Sequence, residues 1–492
     1  MQVLFKLNHI SYRVRISLIV IILLVFAIST ASVLYHGDHF LLGSYEKLNN
    51  DDVKYVNSAK ILLNKHTLAY NSGEAPSAFI MPGMPLILSG FMLIFGQDND
   101  AVIAFRVLQA ALQALSIYLI FVIANHLFNC RAAIIACIAS ALYLPDYFSS
   151  GVILSETLFR TIFILLICFC ILALKSNQTK HYVIAAVLVG LACYFKPHAI
   201  LFPIVLFILW LVNRVSWKTI IKHTTVISVT LILLLCPWWI RNYATFDEFI
   251  PFTKSAGNPM LLGALIHNAA PPQAFFDAHP EYTGGRDSLF TGSDADMAET
   301  TKKIVQFGFK EQPLQYLQWY TIEKLKGLYL GPYYWKTVFG IPGSLVTVYH
   351  ILFVAIGGAG LLLMLIQAIR QRKQQYLLLL LTFAYFTVIY VPFVAFSRYG
   401  YPNVFIIFLC AAYVVDRALD IQTFKGFYQT FKGFNRTFKG FNQTFKGFNQ
   451  TFKGVSNPPK PSLPREGPEA LRPLDTRAGT NVRAKETLGG DV

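Results

Sequence analysis

Charge is scarce in this sequence. Only 14% of its 492 residues are Asp, Glu, Lys or Arg, while 55% are hydrophobic; a soluble domain carries about 25% charged residues. That scarcity excludes an ordinary soluble domain and points to a polytopic membrane protein. Cysteine is present without organisation. Cys130, Cys137, Cys168, Cys170, Cys193, Cys236 and Cys410 lie in or beside apolar runs, and none falls in the long loops. An odd number so placed excludes a disulfide framework and zinc spacing, leaving small core side chains. Acid is outnumbered, 26 Asp and Glu against 42 Lys and Arg, for a net charge of +16. In a soluble chain this would suggest nucleic acid. Here the excess sits in short loops and in the C-terminal tail, so it reports topology, and no nucleic-acid partner is expected.

Long apolar runs are what the sequence has. Ile16–Tyr35 follows Arg13 and Arg15 and is about 20 residues long, enough to cross a bilayer and too long for a signal-peptide core. Further spans are expected near 100–127, 132–147, 153–174, 181–195, 198–213, 222–241, 343–369, 375–396 and 400–416. The expected fold is therefore all-α and polytopic, with about ten transmembrane helices. Leu86–Phe95, after Pro82-Gly83-Met84-Pro85, is too short to span and reads as interfacial or re-entrant. With the first basic end inside, Arg131, Lys175, Lys180, Arg214, Lys218, Lys222, Arg370, Arg372 and Lys373 all fall in inner loops, as the positive-inside rule requires.

Four parts follow. Residues 1–241 form an N-terminal membrane module with a first outer loop at 36–85. Residues 242–342, with ten acidic and eight basic side chains, form an outer segment. Apolar residues at helical spacing between Lys302 and Trp319 make it a small helical subdomain. Residues 343–416 are the C-terminal spans. The cytoplasmic tail, 417–492, holds a seven-residue repeat over 423–457, one Phe-Lys-Gly unit after each of Thr423, Thr430, Thr437, Thr444 and Thr451. It reads either as a basic strip on an anionic leaflet or as an expansion with no dedicated role, and it ends in a disordered stretch.

The first outer loop carries Asp51-Asp52-Val53-Lys54-Tyr55 at the start of an amphipathic helix running along the membrane surface. Paired carboxylates, a cation and a phenol there could bind a metal, accept a proton or hold a phosphate; equally, the acidic pair could only cap the helix. The topology puts further ionisable groups at outer helix ends: Glu156, Lys196, Arg241 and Arg398. Such groups are costly near a membrane and usually face a cavity or one another. Acid and base from five elements on one face suggest a cavity for acid–base work beside a phosphate.

The order of motifs resembles the GT-C superfamily of membrane glycosyltransferases, in the branch of protein O-mannosyltransferases and lipid A aminoarabinose transferases. The matching stretches are Asp51-x-x-x-Tyr55, Pro82-Gly83-Met84-Pro85-Leu86, Arg106-x-x-Gln109, Leu154-Ser-Glu-Thr-Leu-Phe159, Lys196-Pro197, Pro237-Trp-Trp-Ile-Arg-Asn242 and Ser255-Ala-Gly257-Asn258. The resemblance covers about residues 10–415. It implies an inverting hexosyl- or pentosyltransferase that takes its sugar from a polyprenyl-phosphate donor, with a protein, lipid or glycan acceptor. It further implies a multi-pass protein of the bacterial cytoplasmic (inner) membrane whose active site faces the periplasm or outside. By motif, Asp51 is the general base, with Asp52 and Glu156 as further carboxylates. Lys54, Tyr55, Lys196, Arg241 and Arg398 are the candidates for the donor phosphate. No cofactor follows with certainty; a divalent metal on Asp51, Asp52 and Glu156 stays open. Two departures stand out: Asp51-Asp52 where relatives often carry Asp-Glu, and Met81 and Met84 where some carry a cation. The alternative reading is a transporter or flippase of a lipid-linked or polar solute, but the paired broken helices in repeated halves that transporters often show are not seen.

Overall fold

The computed structural model describes residues 2–5, 10–70, 73–371 and 374–420. Among these residues the secondary structure is helical, with no strand. The repeats at 423–457 and the end of the tail lie outside the described residues.

Among the described residues six helices are long and apolar enough to cross a membrane: Tyr12–Phe40, Asn99–Leu127, Glu156–Ser176, Trp217–Phe246, Gly343–Arg370 and Ser397–Asp420. Cys130–Ala141 and Leu144–Gly151, bent by 56°, make a seventh if taken as one broken span. The spans expected near 181–195, 198–213 and 375–396 are shorter apolar helices, Thr179–Cys193, Pro197–Val212 and Gln375–Ile389. Length and composition thus give six or seven spans, fewer than the sequence pattern suggests. Thr179–Cys193 has 15 residues and Pro203–Val212 has 10, short of the about 20 that cross a bilayer. Gly83–Phe95 has 13 residues and is only about 20 Å long, short of the ~30 Å hydrocarbon layer.

The main apolar core lies where Asn99–Leu127, Glu156–Ser176 and Val404–Asp420 bury most of their side chains. A separate core, built on Leu261, Phe275, Leu289, Ile304 and Tyr316, holds the segment between Trp217–Phe246 and Gly343–Gln371 together. There, Asp294–Glu311 opens with a capping box of Ser293 and Asp296, which satisfies its first amides. The helix expected from Lys302 to Trp319 forms in two pieces, Asp294–Glu311 and Pro313–Gln318, because Pro313 cannot continue the first.

Two local features set up the candidate site. Asn50 caps the helix Asp51–Lys65, its side chain accepting from Asp51 N at 2.8 Å. Gly83 N donates to Tyr194 O at 2.9 Å, and a Cβ on Gly83 would stand 2.4 Å from that oxygen, so only glycine allows the Gly83 helix to close on the turn before Lys196.

Candidate active site

Four charged side chains from four elements meet. Asp51 and Glu156 each open a helix, Asp51–Lys65 and Glu156–Ser176, where the aligned peptide dipoles favour negative charge. Lys196 lies in the turn between Thr179–Cys193 and the short helix Pro197–Leu201. Arg398 lies in the helical turn Ser397–Gly400. The Arg398 guanidinium bridges the two acids: Nη1 donates to Asp51 Oδ2 at 2.7 Å and Nε to Glu156 Oε1 at 2.6 Å. Lys196 Nζ donates to the same Glu156 Oε1 at 3.0 Å. Tyr70 OH donates to the other Asp51 oxygen, Oδ1, at 2.5 Å. Two acids and two bases leave the cluster formally neutral, which is what makes its burial tolerable.

The four members differ in access. Asp51, Lys196 and Arg398 line a cavity of about 400 Å³, together with Tyr55, Ser155, His198, Tyr390, Phe393 and Tyr399. The Asp51 side chain is 38% exposed, whereas that of Glu156 is 0% exposed. Glu156 therefore stands behind the two cations and not in the cavity, and its Oε2 has no hydrogen-bond partner among the described residues. An apolar cavity of about 650 Å³ runs alongside, between Pro203–Val212 and Trp217–Phe246; Phe252 lines both.

Burial would raise the Asp51 carboxyl, but the Arg398 guanidinium and the Tyr70 hydroxyl together hold it below its ordinary 3.8. Asp51 is thus ionised. Burial, followed by the charges of Tyr55 and Asp51, pushes the Tyr70 phenol up, so Tyr70 keeps its proton and remains a donor.

The other residues singled out from the sequence stand elsewhere. Asp52 is buried, and its carboxylate accepts from Leu42 N at 2.6 Å and from Val53 N at 2.9 Å. Consecutive helix residues project about 100° apart, so Asp51 and Asp52 cannot share one cavity. Lys54 lies over the Tyr70 ring at 5.3 Å. Arg241 donates to Ser77 O at 3.0 Å and Leu68 O at 3.3 Å and stacks on Trp238; it ties the backbone at Leu68 and Ser77 to the helix Trp217–Phe246. Tyr70 and His198 were not singled out. His198 directly follows the Lys196-Pro197 stretch and meets Tyr390 OH at 3.2 Å, but Tyr70 carries no signal, because an aromatic in a loop has no periodicity.

Among the described residues no three His, Cys, Asp or Glu side chains converge as ligands. Asp52 is turned away, and a guanidinium already occupies the space between Asp51 and Glu156.

Residues 76–240 match the family described as dolichyl-phosphate-mannose-protein mannosyltransferase. No curated protein sequence matches the chain. Among solved structures, the apo oligosaccharyltransferase of Archaeoglobus fulgidus is similar over 87% of this chain and 53% of its own, with a TM-score of 0.52 and 15% identity. This chain thus spans about half the length of that protein, and the likeness is one of fold. ArnT from Cupriavidus metallidurans bound to undecaprenyl phosphate is similar over 81% of this chain and 77% of its own, with a TM-score of 0.40 and 15% identity.

Proposed function

We propose that this chain, a member of the GT-C superfamily of membrane glycosyltransferases, moves a hexose or pentose from a polyprenyl-phosphate donor to an acceptor hydroxyl. One observation carries the reading: Asp51, Lys196 and Arg398 line a cavity that shares Phe252 with an apolar cavity beside it. A donor with a charged head and a long apolar tail needs that pairing. Its phosphate meets Lys196 and Arg398, and its prenyl chain lies along Ile204, Phe207, Leu231 and Trp239. The site faces the outer side of a bacterial cytoplasmic membrane, capped by the helical segment 242–342, and the acceptor is a protein, a lipid or a glycan.

The step is a single displacement with inversion. The acceptor oxygen attacks the anomeric carbon, the bond from that carbon to the phosphate oxygen breaks, and its electron pair stays on the phosphate. Asp51 takes the acceptor's proton, and such a base contributes about 10²–10⁴-fold. Lys196 and Arg398 balance the charge that grows on the departing phosphate. Glu156 touches neither substrate; it holds both cations on one oxygen.

Binding of a radiolabelled polyprenyl phosphate to the lipid-embedded protein tests the reading. Wild type and Asp51→Asn are expected to bind it, and a Lys196→Met/Arg398→Met double variant to lose binding. Full binding by the double variant would remove these cations from the phosphate role.

A further inference from the structure

Lys324 is a buried cation outside the charged cluster. It is 2% exposed, and among the described residues no carboxylate pairs with it: its neighbour Glu323 is taken by Lys326 at 2.8 Å. Its Nζ donates instead to two main-chain carbonyls, Gly263 O at 2.8 Å and Phe393 O at 2.5 Å. It also lies over the rings of Trp319 at 5.4 Å and Tyr320 at 5.2 Å. Trp319 Nε1 donates to the same Gly263 oxygen at 2.8 Å. A buried ammonium without a counter-charge is costly; here donation to carbonyls and two aromatic faces offset that cost.

What Lys324 joins is informative. Phe393 and Pro259 both line the cavity that holds Asp51 and Arg398. Val394 N donates to Pro259 O at 2.9 Å. The stretch from Phe393 to Gly400, which carries Arg398, is pressed against the capping segment at three glycines. A Cβ on Gly263 would stand 2.5 Å from Phe393 C, one on Gly327 2.7 Å from Ala395 O, and one on Gly400 2.0 Å from Leu328 O. The backbone around Arg398 is therefore seated on the helices Gly257–Ala264 and Lys324–Tyr329, and the Lys324 ammonium bonds it to the first of them.

We propose that Lys324 is a positioning residue for Arg398: by holding the Phe393 and Gly263 carbonyls together it fixes the 393–400 backbone and so the place of the guanidinium that meets the donor phosphate. The proposal rests on the functional reading above for what Arg398 does. It makes the capping segment part of the machinery that sets the cavity's charge, and it gives donor binding a dependence on a residue outside the cavity.

The test uses the full chain in lipid with a polyprenyl-phosphate sugar and has two readouts. Lys324→Met is expected to raise the donor KM and lower kcat/KM by about 10–100-fold, the scale of a misplacement of about 1 Å, with Lys324→Arg restoring part of the loss. In an Arg398→Met background Lys324→Met is expected to add no further loss, since residues that act through one another are not additive. Fully additive losses would overturn the proposal. Hydrogen exchange gives the second readout: amides over 391–400 exchange faster in Lys324→Met than in wild type, and unchanged exchange would overturn it equally. Lys324→Gln, whose amide nitrogen lies one bond nearer the backbone and so falls short of the two carbonyls that Nζ joins, replaces Lys324→Met if that variant does not fold. A wild type that turns over no donor counts against the functional reading, and the exchange comparison still decides whether Lys324 holds the segment.

Discussion

Arg398 Nε stands 2.6 Å from Glu156 Oε1, the oxygen that also accepts Lys196 Nζ at 3.0 Å. One buried carboxylate oxygen thus aligns the two cations that face the cavity. Removing the Glu156 charge leaves two like charges close together without their shared anion. Glu156→Gln is expected to destabilise the protein by about 3–5 kcal/mol and to raise the donor KM more than it lowers kcat. Thermal unfolding in lipid, beside steady-state turnover, measures both.

Asp51 is held ionised by Arg398 and Tyr70. A base whose pKa is lowered stays active to lower pH, so turnover is expected to be flat from about pH 7 to about pH 5, above the ordinary carboxylate range. Tyr70→Phe removes one of the groups that lower the pKa. It is expected to move the acidic limb of the pH–rate profile upward, towards the ordinary carboxylate value.

Asp52 follows Asp51 directly, yet its carboxylate serves Leu42 N and Val53 N. Asp52→Ala leaves those amides without their acceptor, at a cost of about 1–3 kcal/mol. Its effect is expected in unfolding midpoint, with donor kcat close to wild type; Asp51→Asn is expected to show the opposite pattern.

Ser228 lines the apolar cavity and is exposed on its helix. Ser228→Trp places a large ring where the prenyl chain is expected to lie. The KM for a long polyprenyl donor is expected to rise about ten-fold, on the scale of pocket misfits, while a donor with a short prenyl chain is unaffected. Turnover with the two donor lengths, side by side, checks this.

Burial pulls the Lys324 ammonium down to about 8 from 10.5. Between those values the unfolded chain holds more protons than the folded one, so stability is expected to rise with pH from about 8 to about 10.5. Lys324→Met is expected to flatten that slope in an unfolding series across pH.

Much of the site was legible because ionisable residues at the ends of apolar runs are costly and therefore conspicuous. Asp51, Glu156, Lys196 and Arg398 stood out for that reason, and the structure brings them within hydrogen-bond reach of one another. The same rule could not separate Arg241, whose guanidinium serves main-chain carbonyls, from the members of the cluster. It also could not tell that Glu156 lies behind the cations, since depth is a property of packing. Tyr70 and Lys324 act through contacts with residues distant in sequence, and no local pattern marks such contacts. Among the described residues length and composition alone do not reach about ten spans, because three of the apolar runs form the shorter helices Thr179–Cys193, Pro197–Val212 and Gln375–Ile389.

The central claim is transfer of a sugar from a polyprenyl phosphate with Asp51 as base. Its most direct test is single-turnover release of labelled polyprenyl phosphate from a donor radiolabelled in its phosphate, by purified wild type and Asp51→Asn in lipid. The account predicts release by wild type and none by Asp51→Asn, with the donor still bound by the variant. Equal release by the two proteins, or a bound donor left intact by wild type, would contradict it.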